Sequence, residues 1–273
     1  MDTLQQIIQE MLDVGRQTVA KNPRATKETG TINVKGDQTI GMDVLVEEAL
    51  IAYVKEKNIP ANIFSEEAGD IKFHKNPTYY IAFDPLDGST NYQIGKNIYP
   101  YGLLVAIYKG LEPKLSEVVA AGAIEYSRNL SWTYVDGKTY DQTGNPVILK
   151  NDWEISRKTP IFLDLYYKEG YELYRPIAEQ LFIRNIGSTI GNLSYVLSNI
   201  AAGLGGVCMR PEEIGAIYSL IRGAGGITVD HTGRDIGENV FSGSKTYQIL
   251  AGSKNIINHA VKLLNTNLQG QTL

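Results

Sequence analysis

The sequence predicts a layered α/β protein, on an amphipathic opening stretch, a β-rich block over residues 62–135, and alternating strand and helix patterns from residue 160 onward. Leu4, Ile7, Ile8, Met11 and Leu12 recur at helical spacing behind Asp2 or Thr3 as N-cap, so a helix opens the chain and ends between Gly15 and Lys21. Its apolar stripe is assigned to core packing. A polar stretch over 22–41 precedes a second helix from Met42 to Lys57, with Val44, Leu45, Leu50 and Val54 available for burial and Asp43 at its start.

Strand runs follow at Asn62–Phe64, Tyr79–Phe83, Tyr101–Tyr108, Val118–Tyr126 and Leu130–Val135, punctuated by Gly, Pro and Asp-Gly turns, and these form a first large sheet. The second half reads as strand Pro160–Leu165, helix Gly170–Leu181, a short strand, helix Thr189–Ala202, strand Gly206–Met209 and helix Glu212–Gly223. Strands Ile227–Val229 and Gln248–Ala251, a helix Asn255–Leu264 and a loose tail 265–273 complete it. The expected division is an α+β half over 1–155 and an α/β half over 156–273.

With 43% hydrophobic and 21% charged residues among 273, the chain has the composition of a globular protein with a sizeable core. A formal charge of -4 provides no basic surface for nucleic acid or anionic membrane. An anionic substrate must then be met locally. Cys208 is the one cysteine, so no intramolecular disulfide and no cysteine-based zinc site is expected, and it is read as a small buried residue. The first residues lack the basic start and apolar run of a signal peptide, and no segment approaches 18 apolar residues, which leads to the expectation of a cytoplasmic enzyme.

The informative segment is Phe83-Asp84-Pro85-Leu86-Asp87-Gly88-Ser89-Thr90-Asn91, directly after the apolar run 79–83. Pro85 stiffens the turn and Gly88 permits close backbone approach, so two aspartates three apart converge with the Leu86 carbonyl between them. Such an all-oxygen set suits Mg²⁺ or Mn²⁺. Alone, the motif is equally well a solvated strand-terminating turn, but Ser65-Glu66-Glu67 places two more carboxylates at another strand end. Gly36-Asp37-Gln38 and Asp43 add a loop carboxylate and one at a helix start, where capping is an ordinary role. Glu213 opens the helix that runs into Gly223-Ala224-Gly225-Gly226, where a favourable interaction with the helix dipole is the plainer role.

These four pieces, in this order and spacing from about Lys35 to Gly226, resemble the fructose-1,6-bisphosphatase and inositol monophosphatase superfamily. The resemblance implies a five-layer αβαβα sandwich of the sugar phosphatase type, with two or three Mg²⁺ ions per subunit, replaceable by Mn²⁺, beside the phosphate. It implies metal ligation by Glu66, Asp84, the Leu86 carbonyl, Asp87 and Glu213, with Asp37 and Glu66 holding a third ion. Gly88, Ser89 and Thr90 would receive the phosphate. Glu67, Asp43 and Ser89 would activate the attacking water, the base being Glu66 or Glu67.

Glu212-Glu213 stands where inositol monophosphatases have Trp-Asp, and Gly36-Asp37-Gln38 with Ser65-Glu66-Glu67 looks like fructose-1,6-bisphosphatase. The compact length resembles archaeal-type enzymes that accept both substrates, so fructose 1,6-bisphosphate and inositol 1-phosphate are the expected pair. Ser188, within 184–195, and Arg210 are placed on the substrate side, Arg210 through a guanidinium fork to a distal phosphate. The rivals are a 3'-phosphoadenosine 5'-phosphate phosphatase and a catalytically silent sugar-phosphate or metal-sensing module. His74, His231 and His259 have no triad or metal spacing and are assigned to surface or packing roles, and Tyr79, Tyr80, Tyr166 and Tyr167 to sheet and interface positions. A homodimer or homotetramer is expected by analogy.

Overall fold

The computed structural model describes residues 3–32, 38–95 and 98–270. Its first half runs α1 (Leu4–Lys21), β1 (Glu28–Ile32), β2 (Gln38–Ile40), α2 (Gly41–Glu56), β3 (Ala61–Ser65), β4 (Gly69–Ile71), β5 (Tyr79–Asp87), α3 (Ser89–Gly95), β6 (Gly102–Lys109), β7 (Val118–Glu125), β8 (Leu130–Val135) and β9 (Lys138–Asp141). Then come β10 (Pro160–Leu163), α4 (Lys168–Ala178), β11 (Phe182–Arg184), α5 (Thr189–Leu197), β12 (Gly203–Met209), α6 (Pro211–Gly223), β13 (Ile227–Val229), β14 (Tyr247–Gly252) and α7 (Lys254–Gly270).

Seven strands form one sheet in the order β4-β3-β5-β6-β7-β8-β9, antiparallel except where β3 lies parallel to β5. Five form the second, β11-β10-β12-β14-β13, with β10 parallel to both neighbours. Alternation along β6 separates two cores. Leu103, Val105 and Ile107 face α1 and α2, whereas Leu104, Ala106 and Tyr108 face the space between the sheets. Because both faces are covered, the strand reads as one continuous apolar run. α5 and α6 fill the inter-sheet layer, and Tyr174 and Ile177 of α4 with Ile256, Ile257 and Ala260 of α7 cover the outer face of the second sheet. The order α1/α2, sheet, α5/α6, sheet, α4/α7 is the five-layer αβαβα sandwich.

Four expectations are corrected. α2 buries Met42, Val46, Leu50, Tyr53 and Val54, while Val44 and Leu45 are half-buried, because the helix must also turn Asp43 and Glu47 inward. α5 stops at Leu197 and not at residue 202, since Asn199 takes a left-handed φ of 55° that ends the helix. The last helix continues through Gly270 and includes most of the expected loose tail. Cys208 is half-buried rather than enclosed. The short strands β1, β2, β4 and β9 and the seven-residue, roughly two-turn α3 carry too few periodic positions to be recognised from the sequence.

Candidate active site

Strand β5 does not end at Phe83 but carries Asp84-Pro85-Leu86-Asp87 in extended form, with a register shift against β6 between Asp84 and Asp87. Pro85 has no N–H for the ladder, so the shift lets both carboxylates leave the sheet together. Asp84 is held by the Leu86 N–H, donated to its Oδ1 at 2.9 Å. Asp87 accepts from the Ser188 hydroxyl at 2.6 Å and from the N–H groups of Ile190 at 2.7 Å and Thr189 at 3.1 Å, which fastens it to the start of α5 in the other half. Ser188 also caps α5 by accepting from Gly191 N–H at 3.1 Å, so the hydroxyl placed on the substrate side is occupied in structural bonds.

Helix α2 supplies Asp43 in its first turn. Its Oδ2 accepts the Ile40 N–H at 2.8 Å, and its Oδ1 lies 3.0 Å from the Ser89 hydroxyl, so capping and facing the site coexist. The Ser89 hydroxyl is also 3.0 Å from the Leu86 carbonyl. At the end of β3, Glu66 is buried and Glu67 accepts a bond from the Thr39 hydroxyl. From α6, Glu213 closes its own helix start by accepting the Arg210 N–H at 3.1 Å.

Two carboxylate groups of three result, both sharing Asp84. Asp84, Asp87 and Glu213 bring one oxygen each within 4.8 Å of the others, and so do Glu66, Asp84 and Glu212. Burial raises the Glu213 carboxyl to about 8, with Asp87 and Glu212 adding repulsion, and lifts Asp84 well above the usual carboxylate range, with Glu66 and Asp87 adding to it. Asp43 is raised to about 7, by burial first. So many buried hard oxygen donors, disfavoured as bare anions, form a set that fits Mg²⁺ or Mn²⁺. The Arg210 guanidinium sits on Glu66 instead of reaching outward, a charge stand-in within the same cluster. Asp37 lies outside the described residues.

A cavity of about 610 Å³ opens beside the cluster, bounded by Gly88, Ser89 and Thr90 on one side and by Asp164, Tyr166, Tyr167, Asn185, Asn192, Cys208 and Arg210 on the other. Tyr166 and Tyr167, assigned to interface positions, line it. The histidines lie elsewhere: His231 is buried against the Tyr174 hydroxyl at 3.0 Å, and His259 bonds Gln180 at 2.8 Å.

Three residues escaped the sequence-level selection. Glu47, one helical turn after Asp43, accepts the Ser65 hydroxyl and the Ala68 N–H at 3.2 Å, which pins the Glu66-Glu67 corner; burial raises its carboxyl to about 7. Its position, four after Asp43 on one helix face, was the available signal. Asn91 donates to the Pro100 and Ile186 carbonyls at 2.9 and 2.8 Å, joining α3 to the second half. Glu212 is fully buried in the cluster, and the adjacent Glu213 hid it, because neighbouring helix positions ordinarily face apart.

Residues 2–129 match the fructose-1-6-bisphosphatase N-terminal domain. Over 237 residues, 86% of each chain, the sequence is 27% identical to a fructose-1,6-bisphosphatase/inositol-1-monophosphatase of Thermococcus kodakarensis. It is 31% identical to a class 1 fructose-1,6-bisphosphatase of Syntrophotalea carbinolica over 121 residues, 42% of this chain and 37% of that protein. The solved Thermotoga maritima inositol monophosphatase superposes with a TM-score of 0.76 at 15% identity, with 96% of each chain covered, and shares the fold.

Proposed function

We propose that this chain, a member of the fructose-1,6-bisphosphatase and inositol monophosphatase superfamily of metal-dependent phosphoric monoester hydrolases, removes the 1-phosphate of fructose 1,6-bisphosphate and hydrolyses inositol 1-phosphate, with Mg²⁺ as its ion. The observation that carries this is the meeting of two buried carboxylate triples through Asp84, next to the Asp43–Ser89 pair.

Glu66, Asp84, the Leu86 carbonyl, Asp87 and Glu213 would hold two divalent ions, and Asp37 with Glu66 a third. Bound there, divalent ions neutralise the phosphoryl oxygens and the leaving alkoxide. Ser89 has one hydroxyl proton and two acceptors, Asp43 and the Leu86 carbonyl. Were that carbonyl a metal ligand, the Ser89 hydroxyl would donate to Asp43; a proton taken from the attacking water by the Ser89 oxygen would be balanced by transfer of the hydroxyl's own proton to the Asp43 carboxylate. Glu67, oriented by the Thr39 hydroxyl, is the second proton acceptor beside it. Gly88, Ser89 and Thr90 receive the phosphate.

The sugar side supports both substrates. Asp164, Asn185 and Asn192 present groups that bond hydroxyls, and Arg210 is the one cation among the described lining residues, suited to a distal phosphate once it leaves Glu66. Among the described residues no helix is long and apolar enough to cross a membrane. A cytoplasmic homodimer or homotetramer is the form we attach to this activity, checked by light scattering.

Phosphate release from fructose 1,6-bisphosphate, inositol 1-phosphate and 3'-phosphoadenosine 5'-phosphate, each with and without Mg²⁺, tests the proposal. Metal-dependent turnover of the first two is expected. Turnover of the nucleotide alone overturns the substrate, and silence on all three overturns the catalytic function in favour of a sensing module. In the same assay Asp84→Asn and Glu67→Gln should lose roughly 10²–10⁴-fold in kcat while remaining folded.

A further inference from the structure

We infer that Glu212 is an additional cation ligand, making an all-carboxylate site with Glu66 and Asp84 that shares Asp84 with the Asp84, Asp87 and Glu213 group. This rests on the proposal above that the cluster holds divalent ions. Helix α6 begins at Pro211, and its first turn turns both glutamates inward. Glu213 performs the capping, through the Arg210 N–H, so Glu212 is not needed for it. A helix-start glutamate kept for the dipole alone would stand in water, yet Glu212 is 0% exposed. One of its carboxylate oxygens lies within 4.8 Å of an oxygen of Glu66 and of Asp84.

The charge balance points the same way. Glu66, Asp84, Asp87, Glu212 and Glu213 are all buried, and Arg210 is the one cation among the described residues lining the adjoining cavity. Its guanidinium is paired with Glu66, a member of the proposed site. One guanidinium does not compensate five buried carboxylates, whereas divalent ions at two positions do. With Glu212 counted, the position at Glu66 has three carboxylates, Asp84 being shared with the other group, rather than two and a carbonyl.

The test uses the whole 273-residue chain, Glu212→Gln and Glu213→Gln, with Mn²⁺ as the probe. Titration calorimetry reads affinity and stoichiometry, and thermal melts are run in chelator and in excess Mn²⁺. If Glu212 is a ligand, Glu212→Gln binds Mn²⁺ about tenfold more weakly or with one ion fewer. It also melts in chelator at or above the wild-type temperature, because a repelling buried charge is gone, and gains less from Mn²⁺. A merely structural Glu212 predicts the reverse, a lower chelator melt with wild-type Mn²⁺ binding, and that overturns the inference. If Glu213→Gln also keeps wild-type binding, the failure belongs to the underlying metal proposal. Should Glu212→Gln not fold, Glu212→Met, similar in volume and uncharged, is read by the same two measurements.

Discussion

At Gly88 the backbone takes a φ of 83°, and a Cβ there would come within 3.1 Å of the Pro100 carbonyl oxygen and of the Ser188 hydroxyl. Ser188 is the residue that holds Asp87 and caps α5. Gly88→Ala therefore meets two penalties, the left-handed φ and a displaced cap, and should cost about 1–2 kcal/mol for the backbone alone. Urea unfolding checks that cost. The drop in kcat/KM should exceed what the loss of folded protein explains, since the Asp87 carboxylate moves with Ser188. Glu47 shows the same logic from the polar side. A helix glutamate ordinarily faces water, but here it fixes the corner that aims Glu66 and Glu67.

Helix α6 is buried at every position from Pro211 to Ile221 because it is the middle of the sandwich, with a sheet on either side. Gly215 is the point of closest approach. A Cβ there would strike the Tyr108 hydroxyl and come within 2.9 Å of the Ala106 Cβ, both on β6. Gly215→Ala should destabilise by about 1–3 kcal/mol through overpacking, seen as a lower urea midpoint with unchanged slope. Because Glu212 and Glu213 ride on the first turn of the same helix, the variant should also bind Mn²⁺ more weakly. Normal Mn²⁺ affinity at reduced stability would show that the helix start holds its place independently of the packing below it.

The site as a whole is drawn from α2, the ends of β3 and β5, and the starts of α5 and α6, so it exists only when the two sheets are assembled. Its carboxyls are raised in the folded protein, Asp43 and Glu47 to about 7 and Glu213 to about 8, each by burial first. An unfolded carboxyl titrates near 4. The folded state therefore binds more protons between those values, and the metal-free protein loses stability as pH rises from about 4 to about 8. Melts in chelator should fall across that window, and excess Mg²⁺ should restore most of the loss at its upper end by binding the folded state alone. A chelator curve that is flat with pH would show that the cluster is neutralised by other means.

From the residues alone, a layered α/β class, the main strands and helices and the candidate carboxylates Asp43, Glu66, Glu67, Asp84, Asp87 and Glu213 were legible, whereas the five-layer αβαβα order came from the family resemblance. Apolar periodicity marks elements with several turns or pleats, and acidic residues at strand ends and helix starts stand out locally. Beyond its reach were the places where a residue answers to a partner far along the chain. Asp87 is bonded to residues 188–190, Arg210 to Glu66, and Asn91 to Ile186. Glu47 and Glu212 have the same local sequence as solvent-facing helix glutamates; what separates them is burial, which depends on the elements that close over them. Local chemistry along the chain determined which groups were available for a phosphate and its ions, and tertiary packing decided which of them share one buried volume, because repulsion between carboxylates and their loss of water arise only when distant segments meet.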